Sequence, residues 1–78
     1  MCKITIIGGA GTLGAAIAFK LAGKKAIDEI CLIDQNEKLL LNHLMDLENA
    51  YPSKTIYKGT FHDLKHSNIV IITAAIPN

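Results

Sequence analysis

The chain has 78 residues, of which 50% are hydrophobic and 19% charged, and its formal net charge at pH 7 is +1. This composition argues against a disordered chain, and the length suits one small domain with a marginal core. The near-neutral charge, with few and scattered lysines, provides no basic patch for nucleic acid or for an anionic membrane surface. We therefore expect a single globular domain with neither of these partners.

The cysteines and the apolar start of the chain bear on its location. Cys2 and Cys31 have neither metal-ligand spacing nor the C-x-x-C redox spacing, so two reduced thiols in a cytoplasmic protein are expected. Residues 4–19 are uncharged and follow a lysine, as in a signal peptide. Glycines interrupt this run, however, and it is shorter than the about 20 apolar residues that span a bilayer.

The first predicted elements are a strand, a tight turn and a helix. The apolar, β-branched residues 4–7 predict a strand that is buried on both faces, as in a parallel sheet covered by helices. The dinucleotide-binding spacing Gly9-x-Gly11-x-x-Gly14 follows. We expect Gly9 to allow the turn, Gly11 to let the backbone approach a pyrophosphate, and Gly14 to let the helix pack closely. Unpaired N–H groups at the helix start would face the phosphate charge.

The helix is predicted over residues 12 to about 22. Apolar residues recur there at intervals of three and four residues, which predicts one apolar helix face formed by Leu13, Ala16, Ile17 and Leu21. Gly23 is expected to stop the helix as the residue after its C-cap, with two lysines following where positive charge suits the helix end.

A second buried strand is predicted at residues 30–33, and it ends at Asp34. After a strand, glycine loop and helix of this length, a carboxylate at that position accepts hydrogen bonds from the ribose of a bound dinucleotide. It would repel a 2′-phosphate, so the predicted cofactor is NAD rather than NADP. The alternative is that Asp34 only begins the turn before the next helix.

A second helix is predicted from a cap at Asn36 to residue 49 or 50. Its leucine-rich stripe is expected to form core and partner surface, and comprises Leu40, Leu41, Leu44, Met45 and Leu47. His43 is expected to be solvated or interfacial. Pro52 ends the helix, because the residue before a proline disfavours helical conformation.

Two further strands are predicted at residues 55–58 and 69–73, joined by a connection over residues 59–68. The histidines and the aspartate of this connection, His62, Asp63 and His66, match no common zinc spacing, so no metal site is predicted. Strands that alternate with crossovers predict an α/β fold, a partial Rossmann doubly wound parallel sheet with strand order 3-2-1-4. The cofactor crevice is expected between strands 1 and 4.

Four segments together resemble the amino-terminal part of the lactate/malate dehydrogenase family. They are Ile-Ile-Gly-Gly-Ala-Gly-Thr-Leu-Gly at 6–14, Leu-Ile-Asp at 32–34, Met-Asp-Leu at 45–47 and Ile-Thr-Ala-Ala at 72–75. The resemblance implies an oxidoreductase that transfers a hydride between NAD and a small 2-hydroxy or 2-oxo acid, working as a homo-oligomer. It also implies that residues 1–78 are the amino-terminal part of the NAD-binding domain, without the catalytic domain.

The resemblance implies cofactor-binding roles at specific positions. The pyrophosphate loop matches Gly9, Ala10, Gly11, Thr12, Leu13 and Gly14; the ribose acid matches Asp34; the segment beside the nicotinamide half matches Thr73, Ala74 and Ala75. Ala75 replaces the usual glycine of the family. Asn78 stands where malate-specific members have Arg and lactate-specific members Gln; since Asn cannot pair ionically with a second carboxylate, malate is disfavoured.

No catalytic residue is expected among these 78 residues. The family's catalytic histidine, its partner aspartate and its substrate-binding arginines come later in its pattern, and this chain has no arginine. We therefore expect a fragment that does not catalyse the reaction alone and whose apolar fourth strand, an unpaired edge, promotes self-association. The alternatives are a stand-alone NAD-sensing regulatory domain and an NAD-dependent glycosidase. Residues 45–47 and 73–75 favour the dehydrogenase over the sensor, and the glycosidases favour a longer, serine-bearing loop.

Overall fold

The computed structural model describes residues 2–8 and 10–73. The elements are β1 (Lys3–Ile7), α1 (Thr12–Ala22), β2 (Glu29–Ile33), α2 (Glu37–Ala50), β3 (Thr55–Lys58), a 3₁₀ helix (Phe61–His66) and β4 (Ile69–Ile72). The sheet is parallel throughout, in the order β3-β2-β1-β4. The predicted α/β fold class and strand order are confirmed.

The two α-helices cover one face of the sheet, and the connection between β3 and β4 covers the other. Because side chains alternate along a strand, Ile4 and Ile6 face the helices while Lys3 and Thr5 face the connection. The helix-side core also includes Ala18, Ala22, Ile30, Leu32, Leu40, Leu44, Leu47 and Ile56. Neither α1 nor α2, the α-helices of the described residues, is long and apolar enough to cross a membrane.

Helix α1 begins and ends where predicted, but its predicted apolar face is confirmed only in part: Ile17 and Leu21 pack against the core, whereas Leu13 and Ala16 are exposed. The helix buries its small residues, Gly14, Ala15, Ala18 and Ala22, whereas Leu13 is 64% exposed. Nearly every position of this helix is apolar, so periodicity alone does not select a face. Close approach to the sheet selects the side with the smallest side chains. Gly23 caps the helix with φ −79°, which is right-handed and not the left-handed conformation typical of a stop at that position.

Helix α2 confirms the predicted cap and end. The Asn36 side chain accepts a hydrogen bond from the Leu39 N–H at 3.2 Å, and the helix ends at Ala50. The leucine-rich stripe divides between the core and the surface: Leu40, Leu44 and Leu47 are buried, whereas Leu41 and Met45 are exposed.

A polar cluster fastens the 3₁₀ helix to the sheet. The Lys3 ammonium lies 3.6 Å from both the Glu29 and the Asp63 carboxylates, and it is nearly buried. Asp63 also accepts the Thr60 N–H at 2.8 Å, in a capping box that starts the 3₁₀ helix. Beside it, Gly59 lies so close to the buried Cys31 that a Cβ atom at residue 59 would collide with the sulfur. The connection therefore has a fixed position over β1 and β2.

Candidate functional site

The chain leaves β1 through Gly8, the residue that the sequence motif did not single out. Gly8 has φ +91°, and a Cβ atom there would lie 2.6 Å from the carbonyl oxygen of Thr73. Both features restrict the position to glycine. Its only sequence signal is its place as the first of four glycines after the strand. Gly9, which was expected to allow this turn, lies outside the described residues.

The start of α1 has backbone N–H groups that find no acceptor within the helix. Its N-cap is Gly11, which provides no side-chain cap, and the first turn has no acidic residue. The Ala15 N–H is bonded to the Gly11 carbonyl at 2.9 Å, so the N–H groups of Thr12, Leu13 and Gly14 precede the helical ladder and have no acceptor within it. Thr12 and Leu13 are exposed. This helix end can therefore receive an anion.

Gly14 and Gly11 occupy different surroundings. A Cβ atom at Gly14 would collide with the Gly8 carbonyl oxygen and would lie 2.9 Å from the Thr73 hydroxyl. A Cβ atom at Gly11 would meet only the Gly8 carbonyl oxygen, at 3.4 Å, and Gly11 lines a cavity. Gly14 thus allows α1 to pack against the turn, while Gly11 leaves the backbone open to a ligand.

Asp34 follows β2, and each of its carboxylate oxygens accepts a backbone hydrogen bond. Oδ1 accepts from the Asn36 N–H and Oδ2 from the Ala10 N–H, both at 2.9 Å. Asp34 therefore begins the turn before α2, as one interpretation of the sequence held, and it also holds the glycine loop. A carboxylate has about four acceptor positions, so this half-buried side chain can accept further hydrogen bonds.

His43 contacts the same loop from α2. Its Nε2 atom lies 3.1 Å from the Ala10 carbonyl oxygen, and the side chain is half-buried. The expectation of a solvated or interfacial histidine did not include this contact within the chain. The contact of His43 with the loop, 33 residues away, has no signal in the local sequence pattern.

Thr73 brings the end of β4 to the same turn. Its N–H donates to the Ile7 carbonyl at 2.8 Å, and its hydroxyl lies 3.1 Å from the carbonyl oxygens of both Ile7 and Gly8. The structure therefore brings together the glycine loop, Asp34 and Thr73. Ala74 and Ala75, the other predicted residues of this segment, lie outside the described residues.

A cavity of about 400 Å³ opens between these elements. It is lined by Ile7, Gly8, Gly11, Ile33, Asp34, Gln35, Phe61 and Thr73. Its size is typical of small-molecule sites, and it combines apolar walls with few polar groups. Phe61, which is 65% exposed, and Gln35 were not predicted as site residues. Phe61 reaches the cavity only because the 3₁₀ helix crosses the sheet, a placement that no local motif reveals.

The donor and acceptor set fits an adenine dinucleotide. The N–H groups at the α1 start suit a pyrophosphate, and the Asp34 carboxylate suits ribose hydroxyls. The side chains of Ile7, Ile33 and Phe61 supply apolar walls that suit a planar base.

Comparison with known proteins gives the same interpretation. The sequence model of one protein family, described as the lactate/malate dehydrogenase NAD-binding domain, matches residues 2–78 of this chain. A malate dehydrogenase of Halobacterium salinarum is 35% identical over 82 aligned residues, which cover 99% of this chain and 27% of that enzyme. The chain thus spans about a quarter of the length of such curated relatives.

Solved structures show the same relationship. The minor L-lactate dehydrogenase of Enterococcus mundtii matches with a TM-score of 0.85 and 26% identity, over 99% of this chain and 26% of that one. A 6-phospho-beta glucosidase of Thermotoga maritima matches with a TM-score of 0.71 and 18% identity, over 92% of this chain and 19% of that one. The second likeness shows the shared fold alone. The chain belongs to the family of lactate/malate dehydrogenase NAD-binding domains, whose cofactor is the NAD predicted from the sequence.

Proposed function

We propose that these residues are the amino-terminal part of the NAD-binding domain of an oxidoreductase that interconverts 2-hydroxy and 2-oxo acids. The observation that carries the proposal is the convergence of the glycine loop, Asp34 and Thr73 on one cavity. The family match supports the cofactor and the type of reaction. The catalytic domain is proposed to lie outside the 78 residues. This is supported by the malate dehydrogenase of Halobacterium salinarum, of which these residues match only 27%.

The glycine loop is proposed to hold the pyrophosphate. The loop comprises Gly9, Ala10, Gly11, Thr12, Leu13 and Gly14. Support comes from Gly11, which lines the cavity, and from the start of α1, which has no side-chain cap. Backbone N–H groups and the helix dipole would stabilise the negative charge there without any cationic side chain.

Asp34 and Phe61 are proposed to hold the adenosine half. Asp34 would accept hydrogen bonds from the ribose hydroxyls through the acceptor positions that Ala10 and Asn36 leave free. Its negative charge would disfavour the 2′-phosphate of NADP. Phe61, with the isoleucines Ile7 and Ile33, would pack against the adenine ring.

The segment Thr73, Ala74 and Ala75 is proposed to lie beside the nicotinamide half. Thr73 supports this assignment because it joins the end of β4 to the glycine turn. When bound, NAD supplies the hydride chemistry, and this part of the chain positions the cofactor. The substrate is proposed to be a small 2-hydroxy or 2-oxo acid, without a choice between malate and lactate. The expectation against malate rests on Asn78, outside the described residues, and the relatives include both kinds of dehydrogenase.

We further propose that the complete protein assembles as a homo-oligomer and is located in the cytoplasm. The exposed apolar side chains of Leu41 and Met45 on α2 support an interface with a second copy. Cys2 and Cys31 are both free thiols, which suits a reducing compartment.

The test is a comparison of the two reduced cofactors. We expect the chain to bind NADH more tightly than NADPH, and Asp34→Ala to reduce this preference because the repulsive carboxylate is gone. Titration of cofactor fluorescence, with calorimetry as a second measurement, gives both dissociation constants. Equal binding of NADH and NADPH by the unmutated chain would overturn the assignment of Asp34.

A further inference from the structure

We propose that His43 is a positioning residue that fixes the peptide backbone of the glycine loop for the cofactor. The two backbone polar groups of Ala10 are held by different elements: its N–H by Asp34 at the end of β2, and its carbonyl oxygen by His43 on α2. The proposal rests on the function proposed above, since it assigns His43 to the loop that would receive the pyrophosphate.

The first argument is the burial of Ala10. The residue is only 2% exposed, so its polar groups have little access to water. A buried carbonyl oxygen without a partner is costly, and the backbone rearranges to recover a hydrogen bond. Removal of the imidazole would therefore displace the Ala10 carbonyl from its present direction.

The second argument is the chemical connection between this carbonyl and the ligand-facing backbone. The Ala10 carbonyl belongs to the same peptide plane as the Gly11 N–H, and Gly11 is both the N-cap of α1 and a cavity-lining residue. Rotation of that plane would move the start of α1, where the N–H groups without a helical acceptor lie. Preorganised donors bind an anion more tightly than mobile ones, because ordering them costs entropy on binding.

The third argument is the donor requirement. A carbonyl oxygen only accepts, so the Nε2 atom of His43 must carry the proton. The neutral Nε2–H tautomer and the imidazolium both meet this requirement. The contact thus needs a donor at the position of Nε2 rather than a particular charge, and glutamine, whose amide nitrogen can reach a similar position, should replace histidine.

The experiment compares His43→Leu and His43→Ala, which remove the donor, with His43→Gln, which keeps one. His66→Leu is the matched control, because His66 is an exposed histidine of the 3₁₀ helix. We expect the Leu and Ala variants to bind NADH about tenfold more weakly, the upper end of the effect of one hydrogen bond. The Gln and His66→Leu variants should stay within about threefold of the unmutated chain. Rescue by glutamine separates a positioning role from a general loss of packing.

Amide hydrogen exchange of Gly11, whose N–H shares the peptide plane with the Ala10 carbonyl and donates to the Gly8 carbonyl at 3.1 Å, tests the same role independently of NADH when followed by NMR without cofactor. We expect exchange to accelerate about tenfold in His43→Leu and His43→Ala, and to stay slow in His43→Gln. Unchanged Gly11 exchange in the Leu and Ala variants would overturn the role of His43, as would NADH binding equal to that of the unmutated chain. If the unmutated chain bound no NADH, the proposed function would fail, and the exchange measurement would still decide the role of His43.

Discussion

The Oδ2 atom of Asp34 accepts a hydrogen bond from the Ala10 N–H at 2.9 Å, so the acid after β2 and the loop after β1 form one unit. The residue proposed to bind the ribose therefore also shapes the loop proposed to bind the pyrophosphate. Substitution of Asp34 would act on both, and only the ratio of NADH to NADPH affinity isolates the contact with the ribose.

This dual role predicts a loss of stability without any cofactor. Asp34→Ala removes the acceptor for two backbone N–H groups and should lower the free energy of unfolding by about 1.5–3 kcal/mol. Asp34→Asn keeps one carbonyl oxygen and should lose about half as much. Urea unfolding followed by circular dichroism measures both. Equal stability of the unmutated chain and Asp34→Ala would show that these hydrogen bonds contribute little.

Gly14→Ala should be destabilising, although alanine normally favours a helix. The added Cβ atom would collide with the Gly8 carbonyl oxygen, a backbone atom that cannot move without shifting the turn. Overpacking of this kind costs about 1–3 kcal/mol, from which the roughly 1 kcal/mol that alanine gains over glycine within a helix is subtracted, so the net loss in the free energy of unfolding is up to about 2 kcal/mol.

Gly23→Ala is the matched control for Gly14→Ala. Gly23 has right-handed backbone angles, and the atom nearest to a Cβ there would be the Tyr51 hydroxyl oxygen at 3.4 Å, the movable end of a side chain, with the Lys20 carbonyl oxygen at an ordinary contact distance of 3.6 Å. Its free energy of unfolding should change by less than about 0.5 kcal/mol. Equal losses in the two variants would show that close packing at Gly14 is not the cause.

The success of the sequence prediction differs between local and long-range features. The strands were recognisable because they are short and rich in β-branched residues. Their order was predictable because right-handed crossovers after a glycine loop give the order of a dinucleotide-binding sheet. The cap at Asn36 was predictable because its bond to Leu39 spans three residues. His43 and Phe61 could not be assigned to the site, because each reaches it through the packing of a whole element.

The face of α1 was predicted only in part, for a different reason: Ile17 and Leu21 pack against the core, but Leu13 does not. Hydrophobicity favoured the large side chain of Leu13, whereas the steric limit set by Gly14 and Gly8 decided which side meets the sheet. A pattern based on hydrophobic period contains no information on how closely a helix must approach. The glycine motif did contain it, since its last glycine marks the contact with the turn.

Asp63 should make the fold sensitive to acid. The Thr60 N–H, and then the charge of Lys3, lower the pKa of Asp63 from its ordinary value of 3.8, against the effect of burial. A carboxyl with a lowered pKa in the folded state contributes stability above its ordinary value and loses it as the pH falls through the folded pKa. Asp63→Asn should therefore reduce stability at pH 7 and flatten the decline of stability below about pH 4.

Thermal unfolding between pH 2.5 and 7 measures this slope. Asp46→Asn, at an exposed position of α2, is the control and should keep the slope of the unmutated chain. An equally steep decline in Asp63→Asn would assign the acid sensitivity to other carboxyl groups.

By itself, the 78-residue chain should associate through β4 rather than through the α2 surface that is proposed above as the interface of the complete protein. Among the described residues β4 pairs only with β1, so its outer backbone groups are free, and Ile69, Val70 and Ile72 are 49%, 42% and 68% exposed. An apolar edge of this kind pairs with another chain, and a lysine on it prevents the pairing. Ile72→Lys should thus shift the chain toward monomer in sedimentation velocity at concentrations where the unmutated chain associates.

Leu41→Lys is the control. It adds the same charge to the exposed side of α2, whose backbone groups are already bonded within the helix, and it should leave association unchanged. Dissociation by Leu41→Lys alone would place the contact on α2 instead.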